Sequence, residues 1–310
     1  MMDVKKSSKY DLLVITGPTA SGKTLLAATL ALKLKGEIIS ADSRQIYRQM
    51  NLGTGKDYSD YIVEGQYIPY HLIDIADPGY KYSVFEYQRD FAKVLDDLRF
   101  RNIFPIVCGG SGMYIDSVVS GYKMIEVPPD QVFRASLEKK SLSELTENLS
   151  SFKKLHNKTD IDTKKRAIRA IEIERYIGIR KDNQTKFPEI KPLIIGLLFS
   201  REKRRERISE RLRRRLEEGM EDEIRQLLMQ GVDPETLIYY GLEYKYITLF
   251  ITGRISYDEM YRSLETAIHQ FAKRQMTWFR GMERKGIQIN WIDGELPMNA
   301  KVEKVMELLF

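Results

Sequence analysis

The stretch Gly17-Pro-Thr-Ala-Ser-Gly-Lys-Thr24 constrains this 310-residue chain more than any other. It satisfies Gly-x-x-x-x-Gly-Lys-[Ser/Thr] at every fixed position, and its flanks have the character that the motif needs. Leu12-Leu-Val-Ile-Thr ahead of it is a continuous apolar run of strand type. Thr24 to Lys35 behind it carries Leu25, Leu26, Ala28, Leu30, Ala31 and Leu34, a helix with a broad apolar face. In such a unit the backbone of Gly17, Thr19, Ala20, Ser21, Gly22, Lys23 and Thr24 is expected to turn its N–H groups onto phosphate. The partial positive charge of the helix N-terminus adds to that attraction. Lys23 would place a point charge on the terminal phosphate oxygens, and the Thr24 hydroxyl would ligate Mg²⁺. Kinases, NTPases and transferases with a diphosphate leaving group all use this loop, so the rest of the chain must choose among them.

Further apolar runs alternate with helical patterns. Glu37-Ile-Ile-Ser-Ala and Ile103-Phe-Pro-Ile-Val-Cys read as buried strands, and Phe85 to Phe100 between them reads as an amphipathic helix. This alternation predicts an α/β fold: a P-loop NTPase-like core around a parallel sheet covered on both faces. From about Ser120 the texture changes, and Leu137 to Tyr176 is rich in Lys, Glu and Ser at helical spacing. We expect a small helical insertion domain over 121–189, with the core made of 1–120 and 190–310. Pro192-Leu-Ile-Ile-Gly-Leu-Leu-Phe returns to strand character, and the C-terminal part reads as helical, with one helix from Arg207 to Leu228.

With 50 Lys and Arg against 44 Asp and Glu, the net charge of +6 permits a polyanionic partner without demanding one. The single cysteine, Cys108, excludes an internal disulfide and thiol-ligated zinc, and its apolar setting predicts a buried strand thiol. The N-terminus lacks a signal-peptide pattern, and no run approaches the ~18 apolar residues of a membrane span. The expectation is a soluble cytoplasmic protein with no membrane partner.

The second strand runs into Asp42-Ser-Arg-Gln-Ile-Tyr47, at the end of the sheet where ligands bind in open α/β folds. Asp42 should therefore face the phosphate loop, either as a proton acceptor or as a metal ligand. From here the chain resembles the tRNA dimethylallyltransferase (tRNA isopentenyltransferase) family. The likeness rests on the loop, Asp42-Ser-Arg-Gln-Ile-Tyr, Gly53-Thr-Gly-Lys56, His71-Leu-Ile-Asp-Ile and Gly109-Gly-Ser-Gly-Met-Tyr114. It continues through Arg166-Ala-Ile-Arg-Ala-Ile-Glu172, Arg207-Ile-Ser-Glu-Arg211 and Ala272-Lys-Arg-Gln-Met-Thr-Trp-Phe-Arg280.

The resemblance implies a donor, dimethylallyl diphosphate, held on the loop by Lys23 and a Thr24-bound Mg²⁺. It implies attack on the allylic carbon by N6 of an adenosine next to the tRNA anticodon (position 37), with Asp42 accepting the proton. Ser111 would hydrogen-bond near the reacting nitrogen, in place of the usual family threonine. Asp42, Ser43, Arg44 and Gln45, with Lys165, Arg166 and Arg169 and with Lys273 and Arg274, are the implied tRNA contacts. Lys153, Lys154 and Lys158 would extend that track, and a monomer is implied. Most of the nine basic residues in Arg201–Arg215 are expected to be surface charges paired along their helix, and Trp278 and Phe279 to pack in the core.

Two departures from the family stand out. Tyr240 and His269 occupy places where family members commonly carry arginine, and Glu243 falls at a family glycine. They leave room for a tRNA-binding paralogue with lost or altered transfer. A P-loop small-molecule or nucleoside kinase, using Asp42 on a hydroxyl, is the rival enzyme.

Overall fold

In a computed structural model, which describes residues 8–155, 159–179 and 187–310, the apolar runs become the strands of one sheet. The chain forms β1 (Leu12–Thr16), α1 (Lys23–Leu34), β2 (Gly36–Ser40) and the short strands β3 (Ile62–Val63), β4 (Gln66–Tyr67) and β5 (Tyr70–His71). Next come α2 (Val84–Phe100), β6 (Phe104–Gly109) and α3 (Gly112–Val119), then α4 (Gln131–Glu138), α5 (Leu142–Phe152) and α6 (Lys164–Ile179). The remainder is β7 (Pro192–Leu198), α7 (Arg201–Glu217), α8 (Met220–Met229), α9 (Pro234–Tyr240), α10 (Leu242–Ile251), α11 (Tyr257–Arg284), β8 (Asn290–Asp293) and α12 (Met298–Leu309).

The main sheet has the order β5-β2-β6-β1-β7-β8, with every pair parallel. Residues of β1, β2 and β6 are buried throughout, which is why β1 and β6 are continuous, largely apolar runs rather than alternating ones. One face is covered by α1 and α12, through Leu26, Leu30, Val302 and Val305. Chain order reverses direction at β1, since β2 lies beyond β6 on one side and β7 lies on the other. The crevice outside the end of β1 is thus the place where such a sheet binds ligands.

Contacts divide the chain into two compact units, Met1–Tyr122 with Pro188–Phe310, and Lys123–Phe187. The smaller unit packs α4, α5 and α6 around Leu137, Leu145, Leu149, Ala167 and Ile171. Its buried carboxylate, Glu172, accepts hydrogen bonds from Arg134, Arg169 and the Asp130 N–H. Among the described residues no helix is long and apolar enough to cross a membrane.

Two expectations need correction. The helix expected over Arg207–Leu228 is two helices, broken at Gly219 with φ 97°, a left-handed turn that glycine adopts without strain. The apolar stripe hides the break because Ile208, Leu212, Met220, Ile224 and Leu227 all enter the same core cluster. The C-terminal part is also not wholly helical: Asn290-Trp-Ile-Asp adds the edge strand β8, whose four residues are too few and too polar to show a strand period.

The strand ends leave no slack. A Cβ on Gly109 would stand 2.2 Å from the Ala41 carbonyl oxygen, so backbone would have to move. Gly109→Ala should lower the unfolding free energy by about 3 kcal/mol or more, read as a lower urea midpoint at unchanged slope. An unshifted midpoint would show that this strand end yields easily.

Candidate active site

Loops from the carboxyl ends of β1, β2 and β6 surround a cavity of roughly 310 Å³, lined by Thr19–Thr24, Asp42, Arg44, Gly109 and arginines of α7. The phosphate loop owes its shape to Ala20 and Gly22, both at positive φ (61° and 76°). Lys23 heads α1 beneath it; burial pulls its pKa below the ordinary lysine value, although the Asp42 charge opposes that. Thr24 lines the cavity together with Cys108, whose thiol is buried at the end of β6. Burial pushes that thiol up to about 12 against the pull of Lys23, so it stays protonated, as an inert strand thiol should.

Gln275 fixes the loop in place. Its Oε1 accepts from the Thr19 N–H at 2.9 Å, and its Nε2 donates to the Gly110 carbonyl at 2.9 Å. One buried side chain on α11 thereby ties the phosphate loop to the end of β6.

The far wall is α7. Arg207 donates from Nε to the Ala20 carbonyl at 2.9 Å, while Arg211 and Arg215 reach Asp57 at 3.0 and 2.9 Å. They fit because residue 55 is glycine: a Cβ there would meet the Arg211 and Arg215 guanidinium groups at 2.6 and 3.0 Å. Burial, then the neighbouring Arg215, brings the Arg211 pKa down to about 10, so the pair of cations is held at a cost. Burial alone would raise the Asp57 pKa, but Arg215 and Arg211 outweigh it and hold it below the usual carboxylate value. These ion pairs therefore support the fold at neutral pH, and that support is lost only as acid protonates Asp57 below its unfolded pKa. Ser21 and Arg215 line the same cavity, and Ser21 Oγ and Arg215 Nε are buried without a hydrogen-bond partner among the described residues. Orphan polar atoms of this kind are what an anion with several oxygens would satisfy.

Asp42 and Ser111 sit at the neighbouring strand ends. Asp42 Oδ1 accepts from the Arg44 N–H at 3.0 Å. Ser111 Oγ accepts from the Ser43 N–H at 2.8 Å and donates to the Ser43 hydroxyl at 3.1 Å. Gln45 is turned inward, donating to the Gly55 carbonyl at 2.9 Å. Of the basic residues singled out in the sequence, Lys273 and Arg274 are exposed on α11, where they line a groove with Thr277 and Trp278. Lys165, Arg166 and Arg169 lie on α6 in the smaller unit; Arg166 pairs with Asp162, and Arg169 with Glu172 and the Val127 carbonyl. Lys153 pairs with Asp160 and Glu174, Lys154 is exposed, and Lys158 lies outside the described residues.

Against this geometry, two family models match: "IPP transferase" over residues 45–282 and "Isopentenyl transferase" over 10–68. A protein of Phocaeicola vulgatus named tRNA dimethylallyltransferase 2 is 61% identical over 97% of this chain and 98% of its own length. The chain belongs to the IPP transferase, or tRNA dimethylallyltransferase, family. A relative in Bacteroides fragilis with the same name is 59% identical over 97% of this chain and 98% of its own. Among solved structures, the tRNA isopentenylpyrophosphate transferase of Bacillus halodurans matches with TM-score 0.69 and 29% identity, covering 97% of this chain and 95% of that one. A eukaryotic dimethylallyltransferase solved acting on tRNA shares the fold at TM-score 0.74 and 22% identity, over 91% of this chain and 73% of its own.

Within this IPP transferase three of the nine basic residues of Arg201–Arg215 depart from the surface expectation. Arg207, Arg211 and Arg215 are not outward surface charges; they form the cavity wall. Their spacing of four places them on one stripe, directly beside the apolar stripe Ile208, Leu212 and Leu216, and that adjacency was readable. Trp278 is corrected too: Phe279 is buried, whereas Trp278 is exposed and lies over Gly112. Tyr240 packs against Tyr47 with ring centres 4.6 Å apart and planes tilted by 53°, and it accepts from the Gly79 N–H at 2.6 Å. His269 lies beside Arg201, Arg204, Arg205 and Arg280. Neither residue is part of the cavity wall.

Gln275→Ala should leave the Thr19 N–H and the Gly110 carbonyl without a protein partner, at about 1–3 kcal/mol each. Chemical denaturation should show the lost stability, and isothermal titration with pyrophosphate should show weaker binding. Unchanged pyrophosphate affinity would mean that the loop keeps its shape without the tie.

Proposed function

We propose that this chain transfers a dimethylallyl group from dimethylallyl diphosphate to N6 of an adenosine beside the tRNA anticodon (position 37), releasing diphosphate. The observation that carries this reading is the single cavity in which the phosphate loop and α7 arginines face Asp42. In the reaction the N6 lone pair forms the bond to the allylic C1 as the C1–oxygen bond to diphosphate breaks. Negative charge grows on the leaving group in the transition state. Lys23, Arg207, Arg211 and the amides of Ala20–Thr24 are arranged where they can stabilise that charge more than the ground state. Asp42 accepts the N6 proton, and the Ser111 hydroxyl, already fixed to Ser43, holds the acceptor edge.

The donor set suits Mg²⁺ rather than a softer ion. Thr24 offers a hard oxygen and Asp42 a carboxylate across the same cavity, and no group of three His, Cys, Asp or Glu forms a cage among the described residues. Thr24 would hold the ion together with the donor's own oxygens, supplying charge neutralisation for the diphosphate. Because the acceptor adenosine must leave its stack to reach the cavity, phosphate contacts outside it have to steady the RNA. Lys273 and Arg274 on α11, and Lys165, Arg166 and Arg169 on α6, are proposed for that role, with Ser43 and Gln45 shaping the acceptor side.

Incubation with Mg²⁺, dimethylallyl diphosphate and unmodified tRNA should yield isopentenyladenosine, detected by mass spectrometry after digestion. Asp42→Asn should lower kcat by roughly 100-fold or more with little change in donor KM, since it removes a proton acceptor and not a phosphate contact. Transfer of phosphate from ATP by the unaltered protein, with no prenylated tRNA, would overturn the proposal in favour of a kinase.

A further inference from the structure

Arg44 sits two residues after Asp42 in the stretch expected to meet RNA, yet its guanidinium faces inward. The side chains of Arg44 and its partner Glu243 are only 17% and 11% exposed, and both line the phosphate-loop cavity. One edge of the guanidinium is spoken for: NH2 donates to Glu243 Oε2 and, at 2.8 Å, to the Gly53 carbonyl. The Nε–H, by contrast, is buried with no hydrogen-bond partner among the described residues. Burial alone would lower the arginine's pKa, and the Glu243 charge more than restores it, so the cation is retained. Glu243 is held close to Arg211 as well, through the second, smaller hollow that it lines with Thr19, Ala20 and Arg211.

We propose that Arg44 is a donor-side anion contact, giving its free N–H to the diphosphate of the allylic donor, and that Glu243 is the positioning residue that aims it. The inference rests on the transferase reading above and assigns Arg44 to the donor rather than to tRNA. Two features argue for an anion. An N–H next to an already neutralised edge is a directed donor to one more oxygen, and the cavity it lines also holds Lys23, Arg207 and Arg211. Two features argue against an RNA backbone contact: the group is nearly buried, and its anchored edge faces Gly53 and Glu243 rather than solvent.

The test measures pyrophosphate binding in Mg²⁺ by isothermal titration and tRNA binding by filter retention, for the unaltered enzyme, Arg44→Gln, Glu243→Gln and the double variant. Arg44→Gln strands the Glu243 carboxylate and could unfold the region. The double variant removes both charges together, and it keeps the test valid if the single one fails to fold.

A lost charge-assisted contact should weaken pyrophosphate binding roughly 10- to 100-fold in Arg44→Gln and in the double variant, with tRNA affinity unchanged. Glu243→Gln should weaken pyrophosphate less, because the cation remains but is no longer aimed. In turnover the same variants should raise the KM for dimethylallyl diphosphate and leave the KM for tRNA in place. Pyrophosphate binding that survives the double variant, or a loss confined to tRNA, would overturn the assignment of Arg44. If the unaltered enzyme does not bind pyrophosphate at all, the donor-site reading falls and this inference falls with it.

Discussion

Gln275 carries two hydrogen bonds on which the whole site depends. Backbone amides in a phosphate loop cannot satisfy one another, because the loop must point them at a ligand. Something outside the loop has to hold its curvature. Here a side chain from α11 takes the Thr19 N–H and returns a donor to Gly110, so the β1 loop and the β6 end are one mechanical piece. The long helix α11 is amphipathic over 28 residues, and its capping box at Ser256 fixes where it starts. The register of that helix therefore reaches the phosphate loop through one amide.

Charge in the cavity is organised before any ligand arrives. Arg211 and Arg215 share Asp57, and Arg44 leans on Glu243, so each of these three arginines has a protein carboxylate to offset its desolvation. Paired arginines keep their positions, and a polyanion then meets donors that need not be gathered from solvent. This is electrostatic preorganisation in the sense that matters for a leaving group gaining charge. The same pairing limits how strongly the empty cavity repels itself, since Arg211 already feels Arg215 enough to lower its pKa.

How much of this was visible in the sequence follows from where the determinants lie. The strand–loop–helix unit was legible because Leu12–Thr16, the loop glycines and the α1 apolar face are local, and local patterns are what periodicity reports. The place of Asp42 at the sheet end was legible because it follows a buried strand, whereas Ser111 was singled out only by the family resemblance. The inward turn of Arg215 was missed because charge suggested solvent, while a remote partner, Asp57, decided the matter. Trp278 was misplaced for the converse reason: size suggested core, but its helix face looks outward across Gly112. The break at Gly219 and the strand β8 escaped because the first preserves the apolar stripe and the second is too short to have one.

The contact between Gly109 and Ala41 has a further meaning for how such a site can change over time. The N–H of Ala41 bonds Cys108, and the N–H of Ser111 returns to Ala41, so the ladder between the strands continues into the loops that carry Asp42 and Ser111. Asp42 and Ser111 are therefore spaced by sheet register, not by loop length. Swapping a side chain at either place leaves that spacing intact, whereas inserting or deleting one residue between strand and site would turn each group to the opposite face. Divergence within this architecture is steered toward substitution and away from changes of length.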